Sequence, residues 1–153
     1  MSDAHQYLTF LLDGEEYAVD ILRVQEIKGY SAITPIPNTP PYLRGVMNLR
    51  GNVVPVIDLR LRLGMPAADH GKFTVIVLLT VGTRVRGMIV DAVSDVLQLA
   101  PSAIEPTPGL GPAVDTSFIH GMAKPHGRLL ILLDVDRVVG ADGVPVPPDR
   151  AAA

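Results

Sequence analysis

Short apolar runs separated by glycine, proline and asparagine recur along the whole chain, a pattern typical of many short β-strands. The clearest run is Asn52–Leu59, in which β-branched residues predominate. Its composition and short length indicate a buried strand rather than a helix. Pro55 has no backbone N–H for a ladder hydrogen bond, so we expect this strand to lie at a sheet edge or to carry a bulge at that residue.

A turn precedes this strand at Asn48–Asn52. Gly51 and Asn52 are residue types that tolerate a positive φ, so the sequence predicts a tight hairpin. Such a hairpin would hold Arg50 in a restricted position, from which its guanidinium can make paired hydrogen bonds.

The remaining elements follow from the same patterns. Asp20–Lys28 mixes the helical and extended periods and fits either a strand or a short helical turn. Met65–Lys72 is small and polar and predicts a linker between two lobes. We predict strands at Tyr7–Leu12, Glu15–Val19, Phe73–Val81 and Val85–Val90, and a helical turn at Leu59–Leu63.

The second half of the chain repeats the first. Tyr17–Pro37 aligns without gaps with Met88–Pro108, and Pro41–Gly64 aligns with Ser117–Gly140. The apolar strand positions are kept between the copies, whereas the exposed turn positions differ. The chain is therefore an internal duplication of one unit.

Each copy carries several short strands at turn spacing, the pattern of a small β-barrel. The sequence predicts a mainly β fold, all-β apart from short helical turns, with one domain over residues 1–140. We expect one subdomain at about residues 7–64 and a second at about 73–140, with the boundary inside Gly64–Phe73. Residues 141–153 are rich in Pro, Ala and Asp, and we expect a disordered tail there.

The composition narrows the classes of function. The chain has 153 residues, 48% of them hydrophobic, so it can bury a core. A net charge of −3 gives no electrostatic reason to expect nucleic acid as a partner. The sequence has no cysteine, no signal peptide and no apolar run long enough for a membrane helix. We therefore expect a cytoplasmic protein without direct membrane insertion.

Catalytic and metal-binding groups are sparse. No cysteine nucleophile is present, and no serine lies in a nucleophile elbow. His120 and His126 bracket one turn, but no third ligand stands at a suitable spacing, so we expect no metal and no cofactor. Aspartates at strand ends form two repeat-related pairs, Asp20 with Asp91 and Asp58 with Asp134.

For these aspartates, capping of turns or pairing with nearby arginine explains the pattern better than catalysis does. We therefore expect a binding protein and no enzyme activity. The alternative is an enzyme on a duplicated barrel, with a site that no motif marks.

Five ordered motifs resemble the CheW family of chemotaxis coupling proteins. Gly45–Arg60, GVMNLRGNVVPVIDLR, resembles the family signature. The likeness covers nearly the whole chain from Tyr7 to Val139. The other four motifs are EEYAVDILRVQEIKGY, ITPIPNTPPYLRG, GMIVDAVSDVL and GRLLILLDVDRVV.

The resemblance implies a specific fold and function. The fold would be two SH3-like five-stranded β-barrels side by side. The function would be that of a non-catalytic adaptor in bacterial chemotaxis, which binds the cytoplasmic tip of a chemoreceptor and the regulatory domain of a CheA-type histidine kinase. Such a protein is cytoplasmic and is recruited to membrane receptor arrays. A scaffold of a non-chemotaxis signalling pathway built from the same parts is the alternative.

A helical receptor hairpin would lay apolar residues into a groove between the barrels. For Ile27, Val90 and Val93, plain core packing is an equally good explanation. Glu26 interrupts an apolar segment with a charge that needs solvent or a partner. Arg50 is replaced by His126 in the second copy, which suggests that Arg50 serves more than its own turn. The receptor-binding candidates by resemblance are Val24, Glu26, Ile27, Asn48, Arg50, Val90 and Val93; the kinase-binding residues are not assigned.

Overall fold

The computed structural model describes residues 4–108 and 116–139. The predicted tail at 141–153 lies outside these residues. The strands are β1 His5–Leu12, β2 Glu15–Asp20, β3 Val24–Gly29, β4 Leu43–Leu49, β5 Asn52–Asp58, β6 Val75–Val81, β7 Arg84–Val90, β8 Ala92–Leu99, β9 Ile119–Ala123 and β10 Leu130–Leu133. Two short helices, α1 Leu59–Arg62 and α2 Val135–Val139, follow β5 and β10, and 3₁₀ turns occupy Ile21–Arg23, Pro101–Ala103 and Pro125–Gly127.

The strands form two five-stranded sheets. Sheet 1 has the order β8-β1-β2-β10-β9, and sheet 2 has the order β3-β6-β7-β5-β4. The prediction of a mainly β fold with two five-stranded units and short helical turns is confirmed. No helix in the described residues is long and apolar enough to cross a membrane.

Each sheet combines strands from both halves of the chain. Strands β1 to β5 correspond in order to β6 to β10, and this exchange converts the order of sheet 1 into that of sheet 2. The internal duplication is therefore visible in the fold. The prediction that residues 7–64 and 73–140 form one unit each is nevertheless wrong, because the first hairpin of each copy completes the sheet of the other copy. Local patterns specify strands, whereas the choice of partner depends on long-range packing.

The two copies meet within each sheet along two ladders, one parallel and one antiparallel. β2 pairs with β10 in sheet 1, and β5 pairs with β7 in sheet 2, whereas the other ladders are antiparallel. β5 is thus an inner strand, and the expectation of an edge position at Pro55 is wrong. Proline is tolerated here because the β7 ladder begins at Val56, just after Pro55, and the bulge of the β4–β5 ladder lies between Leu43 and Gly45.

An extended segment crosses the outer edge of β4. Thr34 and Val46 exchange two backbone hydrogen bonds of 2.8 and 2.9 Å. Gly45 permits this approach, because a Cβ built there would lie 2.0 Å from the Thr34 carbonyl oxygen. The repeat-related pair in sheet 1 is Glu105 with Met122, next to Gly121.

Among the described residues, the hydrophobic core has three parts, one within each sheet unit and one between the sheets. The central part joins residues of both sheets, among them Phe10, Leu12, Leu79 and Met88, all without exposed surface. Strand alternation explains the pattern: in β4, every second residue is buried. Because the central cluster is shared, the two sheets cover each other's apolar faces.

The aspartates at the strand ends have the predicted structural roles. Asp58 Oδ1 accepts from the Arg60 N–H at 3.0 Å at the start of α1, and Asp134 Oδ1 accepts from the Arg137 N–H at 3.2 Å in α2. The sequence left a strand and a short helical turn open for Asp20–Lys28, and the structure contains both. A 3₁₀ turn follows Asp20 and leads into β3.

Candidate partner-binding surface

The hairpin between β4 and β5 holds Arg50 in a left-handed conformation. Arg50 has φ 49° and Gly51 has φ 89°, the two positive angles of a two-residue hairpin turn. Asn52 tolerates a positive φ but does not adopt one, and it already pairs with Leu49 in the ladder. Asn48 Oδ1 accepts from the Gly51 N–H at 2.8 Å, which fixes the turn from the β4 side.

Arg50 links the two edge strands of sheet 2, and we call the line along which these edges approach each other the seam of the sheet. Arg50 Nη2 donates to Glu26 Oε1 at 2.6 Å. Glu26 lies on β3 and Arg50 directly follows β4, and these are the two edge strands of the sheet. The sheet therefore curls until its edges approach each other, as a barrel requires.

Arg50 and Glu26 each stabilise the charged form of the other. The hydrogen bond from Arg50 lowers the pKa of Glu26 below its ordinary value of 4.5, against a smaller opposing effect of desolvation. The same hydrogen bond raises the pKa of Arg50. Both side chains stay charged at neutral pH and present a fixed ion pair to solvent.

The predicted apolar residues divide into three kinds. Ile27 is 43% exposed on β3 and is available to a partner. Val24 and Val93 are half-buried and pack against the central core between the sheets. Val90 has no exposed surface and belongs to the central core. The assignment of Val90 to a docking surface is wrong, because the repeat-related motif around it supplies core packing at this position.

Val24 and Val93 lie on edge strands of different sheets. Val24 begins β3 of sheet 2, and Val93 belongs to β8 of sheet 1. Both pack on the same cluster between the sheets, Val24 from sheet 2 and Val93 from sheet 1. We call the region bordered by Val24 and Val93, with Ile27 beside it, the inter-sheet groove.

The equivalent turn in the second copy keeps the backbone and changes the side chains. His126 has φ 53° and Gly127 has φ 78°, close to the values at Arg50 and Gly51. In the alignment of the copies, Leu97 stands where the first copy has Glu26. The exposed guanidinium–carboxylate pair is thus specific to the first copy.

Several exposed apolar residues were not singled out by the sequence analysis, and two of them, Val53 and Leu129, are repeat-related. Val53 follows the Arg50 turn and is 47% exposed, and the repeat-related Leu129 directly precedes β10 of sheet 1 and is 52% exposed. Beside Val53 lies a cleft of about 350 Å³, which is also lined by Arg50, Arg84 and Thr83. No period-two alternation marks Val53 in the sequence, because the residues from Val54 to Asp58 are buried on both faces of β5.

The described residues contain no cluster of three or more His, Cys, Asp or Glu side chains that could hold a metal ion. His120 borders a small cleft with Asp20 and Arg23, whereas His126 stands in the turn between β9 and β10. The geometry of the surface is thus that of fixed charges beside apolar side chains, which is suited to binding a protein.

Comparison with known proteins places the chain in a family. The model of the CheW-like domain matches residues 6–142, nearly all of the chain. Chemotaxis protein CheW of Klebsiella aerogenes is 42% identical over 90% of this chain and 82% of its own length. Chemotaxis protein CheW of Bacillus subtilis is 36% identical over 94% of this chain and 93% of its own length.

A solved structure agrees with this result. The scaffolding protein TtCheW from Thermoanaerobacter tengcongensis superimposes with a TM-score of 0.80 at 35% identity, covering 88% of this chain and 90% of that protein. The chain belongs to the CheW-like family of chemotaxis scaffold proteins. Members of this family are non-catalytic adaptors, and this chain is not an enzyme.

Proposed function

We propose that this chain couples chemoreceptors to a CheA-type histidine kinase. The observation that supports this most is the exposed Arg50–Glu26 ion pair, whose carboxylate lies on the same strand as the partly exposed apolar residues Val24 and Ile27. The groove offers apolar surface at Val24, Ile27 and Val93. A receptor tip, being a helical hairpin, can insert apolar side chains from successive turns into such a groove.

The ion pair gives this contact its specificity. Arg50 is 63% exposed and is held by Glu26 and by a turn of fixed geometry. A guanidinium in a restricted position can add a charge-assisted hydrogen bond to the partner while it keeps its own carboxylate. Asn48 supports the turn through its side-chain carbonyl oxygen, which accepts from the Gly51 N–H.

The kinase contact belongs at the exposed ends of the two sheet units. Val53 and Leu129 are repeat-related and both stand beside a hairpin turn. A kinase regulatory domain of similar double-barrel fold could meet either end through a small, mostly apolar contact, with an affinity in the micromolar range, or about −8 kcal/mol. Several such weak contacts gain strength in an array because linked sites raise the effective concentration.

In this proposal the protein acts in the cytoplasm and reaches the membrane only through the receptor. Signalling arises from placement of the kinase, because the adaptor itself performs no chemistry.

A binding experiment with purified partners tests the proposal. Titration calorimetry measures the affinity of this protein for a soluble chemoreceptor tip and for the kinase regulatory domain, both from the same genome. We expect micromolar binding of each, and loss of tip binding alone in Arg50→Ala. Arg128→Ala is the matched control, since Arg128 is 54% exposed and pairs with Glu16 within sheet 1. No binding of either folded partner at tens of micromolar would overturn the proposal.

A further inference from the structure

Both sides of the inter-sheet groove begin where the chain passes from one sheet to the other. Val24 follows the 3₁₀ turn that leads from β2 of sheet 1 to β3 of sheet 2. Val93 follows Asp91, which stands between β7 of sheet 2 and β8 of sheet 1. The positions of these crossings therefore determine how far apart the two sides of the groove lie.

The crossing from β7 to β8, at Asp91, is bound by a side chain of α1. Arg60 donates to both oxygens of Asp91, from Nε to Oδ1 at 3.0 Å and from Nη2 to Oδ2 at 2.6 Å. The Asp13 N–H also donates to Asp91 Oδ2, at 2.9 Å, and ties the crossing to the β1–β2 turn. Arg60 Nη1 lies 3.6 Å from Asp13 Oδ1. One mostly buried guanidinium thus joins the end of β5 to sheet 1.

Asp91 is ionised at neutral pH, because its pKa is lowered in the fold. Burial raises the pKa of this carboxyl, but the hydrogen bonds from Arg60 and from the Asp13 N–H outweigh that effect and leave the pKa below its ordinary value of 3.8. The paired geometry is the strong form of the arginine–carboxylate interaction.

The crossing from β2 to β3, which contains Arg23, is bound by a side chain of α2. Arg23 pairs with Asp136 through Nη2 and Oδ1, and its Nη1 lies 3.5 Å from Asp136 Oδ2. Arg23 Nε donates to the Thr80 carbonyl at 3.0 Å, and Thr80 Oγ1 donates back to the Arg23 carbonyl at 3.3 Å. The residue directly before Val24 is therefore fixed both to β6 and to the helix of the second copy.

The two ion pairs are reciprocal. Arg60 and Asp136 occupy equivalent positions, each two residues after the aspartate that caps its helix. Arg60 of the first copy reaches the crossing of the second, and Asp136 of the second copy reaches the crossing of the first, with the signs of the charges reversed. Each helix is therefore joined by an ion pair to the chain crossing of the other copy, α1 through Arg60 and α2 through Asp136.

We propose that Arg60 and Asp136 are positioning residues that set the separation of Val24 and Val93, and through it the width of the inter-sheet groove. The consequence for receptor binding rests on the proposed function, whereas the geometry does not. The Arg23–Asp136 pair is partly exposed and adds little to global stability, so the effect of removing Asp136 should appear in the relation of the two sheets and not in unfolding.

The absence of cysteine in the chain makes the geometry directly measurable. Gln25 and Ser94 are exposed and stand next to the two sides of the groove. The double variant Gln25→Cys, Ser94→Cys, carrying two nitroxide labels, reports the distribution of distances across the groove by pulsed electron paramagnetic resonance. Asp136→Ala and Arg60→Gln are then introduced into this labelled protein, each checked by a melting curve.

We expect a narrow distribution in the parent protein and a wider or displaced one in each variant. The charge exchange Arg23→Asp with Asp136→Arg should move the distribution back towards that of the parent, unlike Asp136→Arg alone. Arg128→Ala removes an ion pair of sheet 1 and should leave the distribution unchanged. Asp136 is exposed, so its variant remains folded and informative even where Arg60→Gln unfolds.

Unchanged distributions in folded Asp136→Ala would overturn the inference, whatever the receptor does. Titration with the receptor tip is the second arm, in which affinity should weaken on the order of tenfold in the same variants. A parent protein that fails to bind the tip contradicts the proposed function alone, because the label distances still decide whether the ion pairs position the groove.

Discussion

The turns at Arg50–Gly51 and His126–Gly127 share a backbone and differ in chemistry. Both pairs have positive φ values that agree within about 11°, as the repeat requires. Only the first turn carries a guanidinium, and only the first copy has a carboxylate at the facing position. The fold therefore preserves the turn in both copies, whereas the first copy alone uses it to display a fixed charge. Each prediction below exploits a difference between the copies.

The largest expected effect compares the two glycines under the crossing segments. Gly45→Ala should destabilise the protein by about 3–5 kcal/mol, because it combines overpacking with an unfavourable positive φ of 143°. Gly121→Ala should cost about 1–3 kcal/mol, because its Cβ would meet the flexible Ile104 side chain at 2.8 Å and the Glu105 carbonyl oxygen at 3.0 Å. Denaturant titration of both variants measures the difference, and equal costs would contradict the account of the β4 edge.

The next prediction distinguishes the proposed receptor surface at the inter-sheet groove from the proposed kinase surface at the sheet ends. Ile27→Asp should abolish binding of the receptor tip, since it places a charge at the apolar contact. Leu129→Asp is the matched control, because Leu129 is similarly exposed but lies next to the other sheet. It should spare tip binding and weaken binding of the kinase regulatory domain. Calorimetry with the two partners distinguishes these outcomes, and loss of both partners in either variant would remove the separation of the two surfaces.

A smaller effect concerns pH. Because the pKa of Glu26 is lower in the fold than in the unfolded chain, its contribution is fully present above the unfolded value of 4.5 and is lost as pH falls through the folded value. Binding that depends on the Arg50–Glu26 pair should therefore be flat from neutral pH to about 5 and decline only in stronger acid.

A carboxyl titration by nuclear magnetic resonance checks this directly. In Arg50→Ala the pKa of Glu26 should rise towards 4.5, since its main cause of depression is gone. The same Glu26 titration in His126→Ala should match that of the parent. An unchanged Glu26 titration in Arg50→Ala would show that the pair does not exist in solution.

Most of the strands and the duplication could be predicted from the sequence, because both depend on local patterns. The apolar run of β5, the capping role of Asp58 and the turn at Arg50 are of this kind. The exchange of hairpins between copies could not be predicted, because identical patterns in the two copies permit either pairing. The sequence left core packing and partner binding as equal explanations for Val90 for a related reason, since strand periodicity does not tell which face meets the other sheet.

The candidate site was predictable in composition but not in arrangement. Glu26 was conspicuous as a charge within an apolar segment, and Arg50 by its replacement in the second copy. Their contact joins two edge strands of one curled sheet, a proximity that follows only from the order of strands. Likewise, the pairing of Arg60 with Asp91 requires the crossing between sheets to be known.

The most direct test of the central claim is receptor-dependent kinase activation in a reconstituted array, measured with Arg50→Ala and with His126→Ala. Both variants should melt as the parent does, because both residues are exposed turn residues and such changes usually cost little. Arg50→Ala should lose activation about tenfold or more, Arg50→Lys should retain part of it, and His126→Ala should keep it. Full activation by a normally folded Arg50→Ala variant, or equal losses in both variants, would contradict the assignment of receptor coupling to the first copy.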